Sequence, residues 1–287
     1  MAADHEVPRV WTPRVWIGDD SGGDLVEPGS AKVSVFDHGF TVADGVFETL
    51  KVVDGTPFAL TRHLRRLNHS AQVLGLRTPS DDVLRQAVAA VTHGSAGTGR
   101  LRITLTGGVG PMGSERGDAG PTLVVVLAPT PAWPPTTQAV VVPWPRNERS
   151  ALAGVKSTSY AENVIALHWA KERGASVALF ANCVGQLCEG TGSNVFVIKN
   201  GHITTPSLAS GCLAGITREL VSEWCDVEEQ DGPIDVLAAA DEVFITSSTR
   251  DVHPVSGIDG RQLQAPGPVT AEVRYTFAAL AASNPDP

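Results

Sequence analysis

The chain has 287 residues, a length that suits two domains and a core of substantial size. Its composition, 42% apolar and 18% charged, is that of an ordinary globular protein and excludes disorder of the whole chain. A formal net charge of −9 argues against a general nucleic-acid or membrane-surface role, but does not name a substrate.

The start, MAADHEVPRVW, lacks a basic cluster followed by an apolar stretch, so no secretory signal is expected. No apolar run approaches the ~20 residues of a bilayer span, and the expected setting is the cytoplasm. The first ~30 residues are rich in Gly, Pro and Asp and read as loop. Gly45 to Leu60 reads as a hairpin turning at Asp54-Gly55. Leu64, Leu67, Ala71 and Leu74 then mark an amphipathic helix from Thr61, with Thr61 as its cap. Ser80 caps a second helix through Val83, Leu84, Ala87, Val88 and Val91.

Two strand-like runs follow, Arg100 to Thr106 and Thr122 to Ala128, joined by a Gly-rich loop. The stretch PTPAWPP interrupts helices and ladders alike and reads as a linker. This places a small N-terminal α/β domain at 1–128, an interdomain linker at 129–137 and a larger mixed α/β domain at 138–287. In the second half, strands are expected at Thr137 to Val142, Val177 to Ala181, Asn194 to Ile198 and Glu242 to Thr246. Helices are expected at Tyr160 to Arg173, ended by Gly174, and at Ile216 to Trp224. The fold class is α/β (α+β), two lobes with a ligand cleft between them.

The four cysteines are Cys183, Cys188, Cys212 and Cys225. In a reducing compartment they read as structural thiols, and no metal site is expected from Cys183 and Cys188. Of the five lysines, Lys32, Lys51, Lys171 and Lys199 have easy solvent-facing readings. Lys156 differs, because small or uncharged residues surround it in GVKSTSY. Desolvation lowers a lysine pKa and makes the amine a nucleophile for carbonyls.

A pyridoxal phosphate site needs such a lysine, an acid for the ring nitrogen and donors for the phosphate. Glu189, opening the small-residue stretch EGTGSN, is the candidate acid. Ile216 and Thr217 open a helix whose N-terminus can receive an anion, and Ser248 and Thr249 follow a strand with hydroxyls to add. Arg66 could supply a bidentate charge. The histidines, His38 and His63 included, read as packed or surface residues.

The segments DGVFETLKVVDG, HLRRL, GVKSTSYAENV, CEGTGSNVFVIKNG, AGITR and EVFITSSTRDVHPV resemble, in this order, the fold-type IV pyridoxal-phosphate enzymes. Those are branched-chain aminotransferases, D-amino-acid aminotransferases and 4-amino-4-deoxychorismate lyases. The resemblance implies pyridoxal 5′-phosphate carried on Lys156, with Glu189 at its ring nitrogen. It also implies that Arg66, Ile216, Thr217, Ser248 and Thr249 hold the phosphate, and that the protein is a homodimer. Ala161 stands where branched-chain enzymes usually carry a tyrosine, which leaves Tyr160 as a ring neighbour and counts against that subgroup. The version DGVFET favours the lyase, with Phe47, Thr49 and Arg116 as candidate substrate contacts. Transamination of an amino acid is the alternative, and a cofactor binder without turnover is a third reading.

Overall fold

The computed structural model describes residues 12–287, and the segment MAADHEVPRVW lies outside them. The first half builds one six-stranded antiparallel sheet from β1 (Arg14–Gly18), β2 (Gly23–Val26), β3 (Gly45–Val53), β4 (Thr56–Pro57), β5 (Thr98–Thr106) and β6 (Thr122–Pro129), in the order β2-β1-β6-β5-β3-β4. A one-turn helix, α1 (His38–Thr41), precedes β3, while α2 (Leu60–Leu74) and α3 (Asp81–Thr92) lie between β4 and β5. The sequence reading of the first ~30 residues as loop is corrected: β1 and β2 form a hairpin, with Trp16 buried in the core. Glycine and aspartate are concentrated in its turn, and strands this short carry too few residues to show a period.

Strand β3 is the element on which the site is built. Its residues alternate, as a half-covered strand must. Val46, Leu50 and Val52 pack under α2 and α3 with Leu64, Leu67 and Leu84. Phe47, Thr49 and Lys51 point to the other face. Asp54 and Gly55 both take positive φ, which only such residues adopt readily, so the expected tight turn forms there.

Helix α2 begins at Leu60 rather than at Thr61, with Ala59 in the left-handed region and no side-chain cap of its own. Thr61 is therefore not the cap. Its N–H and hydroxyl both donate to the Asp286 carboxylate, at 2.8 and 2.6 Å, so the first turn is closed from the far end of the chain. Ser80 caps α3 as expected, accepting from the Val83 N–H.

After residues 130–136 come β7 (Thr137–Val141), α4 (Ala161–Glu172), β8 (Val177–Ala181), β9 (Leu187–Gly190), β10 (Asn194–Lys199), β11 (His202–Thr205), α5 (Ile216–Trp224), β12 (Val227–Glu229), β13 (Glu242–Ser247), β14 (Asp251–Ile258), β15 (Arg261–Gln262) and α6 (Pro268–Ser283). The nine strands form a mixed sheet, ordered β12-β11-β10-β13-β14-β7-β8-β9 with β15 on β14. The sequence reading omitted the short strands β11, β12 and β15 as well as β14 and α6. Pro254 and Gly257 mask β14, whose Val252 to Val255 are buried on both faces, and in α6 exposed alanines such as Ala271, Ala278 and Ala279 blur the stripe of Thr270, Val273 and Phe277 that is buried. The helix buries Val273 and Phe277 against Phe58 and Trp224.

Among the described residues no helix is long and apolar enough to cross a membrane, and no cluster of His, Cys, Asp and Glu could hold a metal. The four cysteines are free thiols: Cys183 is exposed, Cys188 and Cys212 are buried, and Cys225 is half-buried.

Asp286→Ala removes both acceptors from the start of α2. A stability loss of about 1 kcal/mol, the usual cost of losing an N-terminal cap, is expected in a urea unfolding midpoint.

Candidate active site

Arg66 of α2, the loop between β7 and α4, strands β9, β10 and β13 and the start of α5 line a cleft of about 560 Å³. Lys156 enters it from the loop between β7 and α4, and the backbone explains how. The first residues of β3 have no strand partner on the side away from β5, and the lysine's segment fills that edge. Phe47 N–H donates to the Lys156 carbonyl at 3.0 Å and Thr158 N–H to Gly45 at 2.8 Å. The Lys156 N–H reaches the buried Ser70 Oγ on α2 at 3.3 Å. The lysine is thereby anchored to the first half of the chain while its neighbours belong to the second.

The amine sits 4.6 Å from the centroid of the Phe47 ring. Burial and then the Arg66 charge lower its pKa from the ordinary lysine range to about 8, with Arg102 acting in the same direction and Glu48 and Glu189 opposing. A substantial share of the amine is therefore neutral near physiological pH.

Glu189 lies on β9, and its Oε2 accepts from the Leu213 N–H at 2.9 Å. Its Oε1 stands 3.1 Å from Arg146 Nε. Burial nevertheless pushes the Glu189 carboxyl above its usual range, against Arg146, the Leu213 N–H and Lys156, which pull it down. A carboxyl so placed gains from a further cation, and a protonated pyridine nitrogen is one. Arg146 itself is fixed by Asn163 Oδ1 at 2.6 Å, by Glu162 at 3.1 Å and by stacking on Phe180.

At the other end, α5 begins with Gly215 and no side-chain cap, leaving its first N–H groups, those of Ile216 and Thr217, free of helical partners. A Cβ at Gly215 would collide with Asn194 Oδ1, so this close turn requires glycine. Arg66 reaches the same end: Nη1 donates to the Ala214 carbonyl at 2.7 Å. Ser248 lines the cleft, and so do Ser193 and Thr246, whose buried hydroxyls have no hydrogen-bond partner. These free donors suit a phosphate, and the site fits pyridoxal phosphate from its ring-nitrogen acid to its anion cradle.

Lys156, Glu189, Arg66, Ile216, Thr217, Ser248 and Tyr160 all line this cleft. Tyr160 packs edge-on to Phe47, with ring centroids 5.3 Å apart. Phe47 forms the platform beneath Lys156, whereas Thr49 and Thr249 lie beside the cleft without lining it. The expectation for Arg116 is corrected. Its guanidinium is held at 2.6 Å by each Asp44 oxygen and caps the Gly75 and Leu74 carbonyls, away from this cleft. The expected bidentate grip of Arg66 also changes, because Glu48 occupies that edge.

Sequence reasoning missed Glu48, His63, Arg102 and Arg146. Glu48 carried a signal, an acid at an inward position between Val46 and Leu50. Arg102 pairs with Thr49 across β3 and β5, and its guanidinium lies 3.8 Å from the Phe47 ring centroid. Arg146 sits in an aperiodic loop that carried none.

A desolvated lysine, a buried acid and an anion cradle within one cleft define a pyridoxal-phosphate enzyme. The profile of the family described as Amino-transferase class IV matches residues 45–258, and the chain belongs to that family. Two curated relatives are each 33% identical: the "Putative branched-chain-amino-acid aminotransferase" of Methanocaldococcus jannaschii, over 89% of this chain and 93% of that protein, and the D-alanine aminotransferase of Bacillus licheniformis, over 88% and 93%. The fold IV transaminase CpuTA1 of Curtobacterium pusillum superposes with a TM-score of 0.84 at 30% identity, covering 93% of this chain and 99% of that one. A "Putative 4-amino-4-deoxychorismate lyase" structure from Legionella pneumophila gives 0.82 at 25%, covering 88% and 96%. The protein is thus an enzyme, with pyridoxal 5′-phosphate as its cofactor.

In the cofactor-free protein, the rate of reductive methylation at Lys156, followed by peptide mass spectrometry, is expected to titrate near pH 8. Arg66→Gln removes a neighbouring cation and should move that midpoint upward.

Proposed function

We propose that the chain is an amino-acid transaminase, moving an amino group between an amino acid and a 2-oxo acid. The observation that carries the reading is the Lys156 amine, brought to a pKa of about 8 beside Glu189 at one end of a cleft whose other end is an anion cradle. Bound pyridoxal phosphate supplies an electron sink for the carbon that bears the substrate's nitrogen. Glu189, backed by Arg146, holds negative charge at the ring-nitrogen end. Ile216, Thr217 and Ser248 bind the phosphate with Arg66, and Thr249 supports the same turn. The Lys156 Nζ, neutral above about pH 8, accepts the proton from the substrate carbon and returns it. Phe47 and Tyr160 form the wall against which the substrate lies. Arg102, exposed on the same face as Phe47 and Thr49, offers its guanidinium to a substrate carboxylate.

The second reading is the lyase, which releases pyruvate and 4-aminobenzoate from 4-amino-4-deoxychorismate in folate synthesis. The DGVFET strand and the likeness to the Legionella structure favour it. The reading also includes two domains, 1–128 and 138–287, joined by the linker 129–137, a cytoplasmic setting suited to four free thiols, and a homodimer. For the homodimer, exposed Val164 and Ile165 on α4 and exposed Phe40 and Met112 near β3 and β5 supply apolar surface.

D-alanine, L-leucine and 2-oxoglutarate are the assay substrates. Oxo-acid formation that requires the acceptor supports the transaminase, while pyruvate with 4-aminobenzoate and no acceptor replaces it with the lyase. Lys156→Ala should lower turnover on the order of 10³-fold, the scale of a lost proton carrier. Arg102→Gln should raise KM for the amino acid by about tenfold or more and change kcat less, since a charged hydrogen bond to substrate is removed.

A further inference from the structure

Glu48 has no solvent exposure and lies among Val46, Leu50 and Leu67 under α2. A carboxylate there is costly unless it is fully paired. Three donors meet it: Arg66 Nε on Oε1 at 2.8 Å, Arg66 Nη2 on Oε2 at 2.7 Å and His63 Nδ1 on Oε2 at 2.6 Å. Burial raises the Glu48 pKa, but the Arg66 and His63 partners more than offset this and bring it to about 2, so the group is an anion at any working pH.

The geometry of the guanidinium is what gives this pair a consequence. Arginine carries five N–H groups in a fixed plane. Glu48 takes the edge formed by Nε and Nη2, and the Ala214 carbonyl takes one N–H of Nη1 at 2.7 Å. One N–H on each terminal nitrogen is left, on a side chain that lines the cleft where Gly215, Ile216 and Thr217 begin α5. His63, with Nδ1 directed at Glu48, holds its Nε2 3.5 Å from Ser248 Oγ, so the same acid is linked to a second cradle residue.

Two general considerations sharpen the point. Buried ion pairs are often replaceable by apolar residues without loss of stability, so stability alone does not account for Glu48. Moreover, a fixed anion near a phosphate opposes its binding by simple repulsion. The carboxylate belongs there if orienting Arg66 outweighs that repulsion.

We propose that Glu48 is a positioning residue for the cofactor's phosphate: it clamps one edge of the Arg66 guanidinium so that the two remaining N–H groups are presented to the cradle of Ile216, Thr217 and Ser248. The proposal rests on the reading that this cleft holds pyridoxal phosphate, and on neither choice of reaction.

The test compares binding of pyridoxal phosphate with binding of pyridoxal, which has the same ring and aldehyde but no phosphate. The full-length chain, stripped of cofactor, is titrated with each and followed by absorbance, and a thermal melt confirms that every variant is folded. Wild type should prefer pyridoxal phosphate. Glu48→Gln should weaken pyridoxal phosphate about tenfold while leaving pyridoxal within about twofold, as expected for one misdirected charged contact. If Glu48 acts through Arg66, the double variant E48Q/R66K should bind pyridoxal phosphate no more weakly than R66K alone. Should Glu48→Gln fail to fold, Glu48→Asp keeps the charge but shortens the reach and should show the same selective loss, smaller in size. A folded Glu48 variant that keeps or improves its preference for the phosphorylated form overturns the proposal, because repulsion then outweighs orientation. Wild-type protein without that preference overturns the cleft reading itself.

Discussion

The alternation of β3 is the constraint from which the site follows. Because successive side chains of a strand take opposite faces, Glu48 is buried under α2 while Phe47 lies on the other face, beneath Lys156 and against Tyr160. A shift of one residue would carry the acid to the opposite face, move Phe47 from beneath Lys156 to under α2, and abolish both arrangements. The nine-residue pairing of β3 with β5 fixes this register from Gly45–Thr106 to Val53–Thr98. The same pairing puts Arg102 on the Phe47 side, so a cation over that ring and the aromatic platform under Lys156 come from one piece of ladder geometry.

Charges in the cleft are arranged in a gradient rather than as isolated pairs. Glu48 carries a carboxyl held down to about 2 by Arg66 and His63. Glu189 carries one raised by burial despite Arg146. Lys156 lies within reach of both, its amine depressed to about 8 mainly by desolvation. Environments that push titratable groups apart in this way are characteristic of catalytic sites, where one group must remain charged while another exchanges a proton. His63 follows the same logic: burial lowers its pKa despite the Glu48 carboxylate, which favours the neutral ring with Nδ1 donating.

The two halves of the chain meet through backbone as much as through side chains. The Lys156 segment completes the free edge of β3, and Asp286 closes the first turn of α2 across 225 residues of sequence. Lys51 pairs with Asp251, whose turn also carries Ser248 and Thr249. The anion cradle and the lysine are thus both referenced to β3 and α2, so their separation is fixed by a packed layer rather than by the segment at 130–136 that joins the two halves. A site that must hold a rigid ring at both ends benefits from such support.

Much of this was legible in the residues themselves. The β3 hairpin showed its turn in Asp54-Gly55, α3 its cap in Ser80, and α5 its period and its glycine start. Lys156 and Glu189 stood out because small residues surround them, and that feature is local. What sequence could not decide was partnership. Arg116 and Arg66 look alike in one dimension, yet one is tied to Asp44 ahead of β3, away from the cleft, and the other lines the cleft and is tied to Glu48. Thr61 carries every mark of a helix cap and is replaced in that role by a carboxylate from the far end of the chain. Which arginine a carboxylate meets depends on distances across the fold, which no residue pattern encodes locally; Lys156 is marked in sequence by small neighbours together with Glu189, the anion-cradle segments and the family resemblance, while the burial and the Arg66 charge that lower its pKa come only from the tertiary fold.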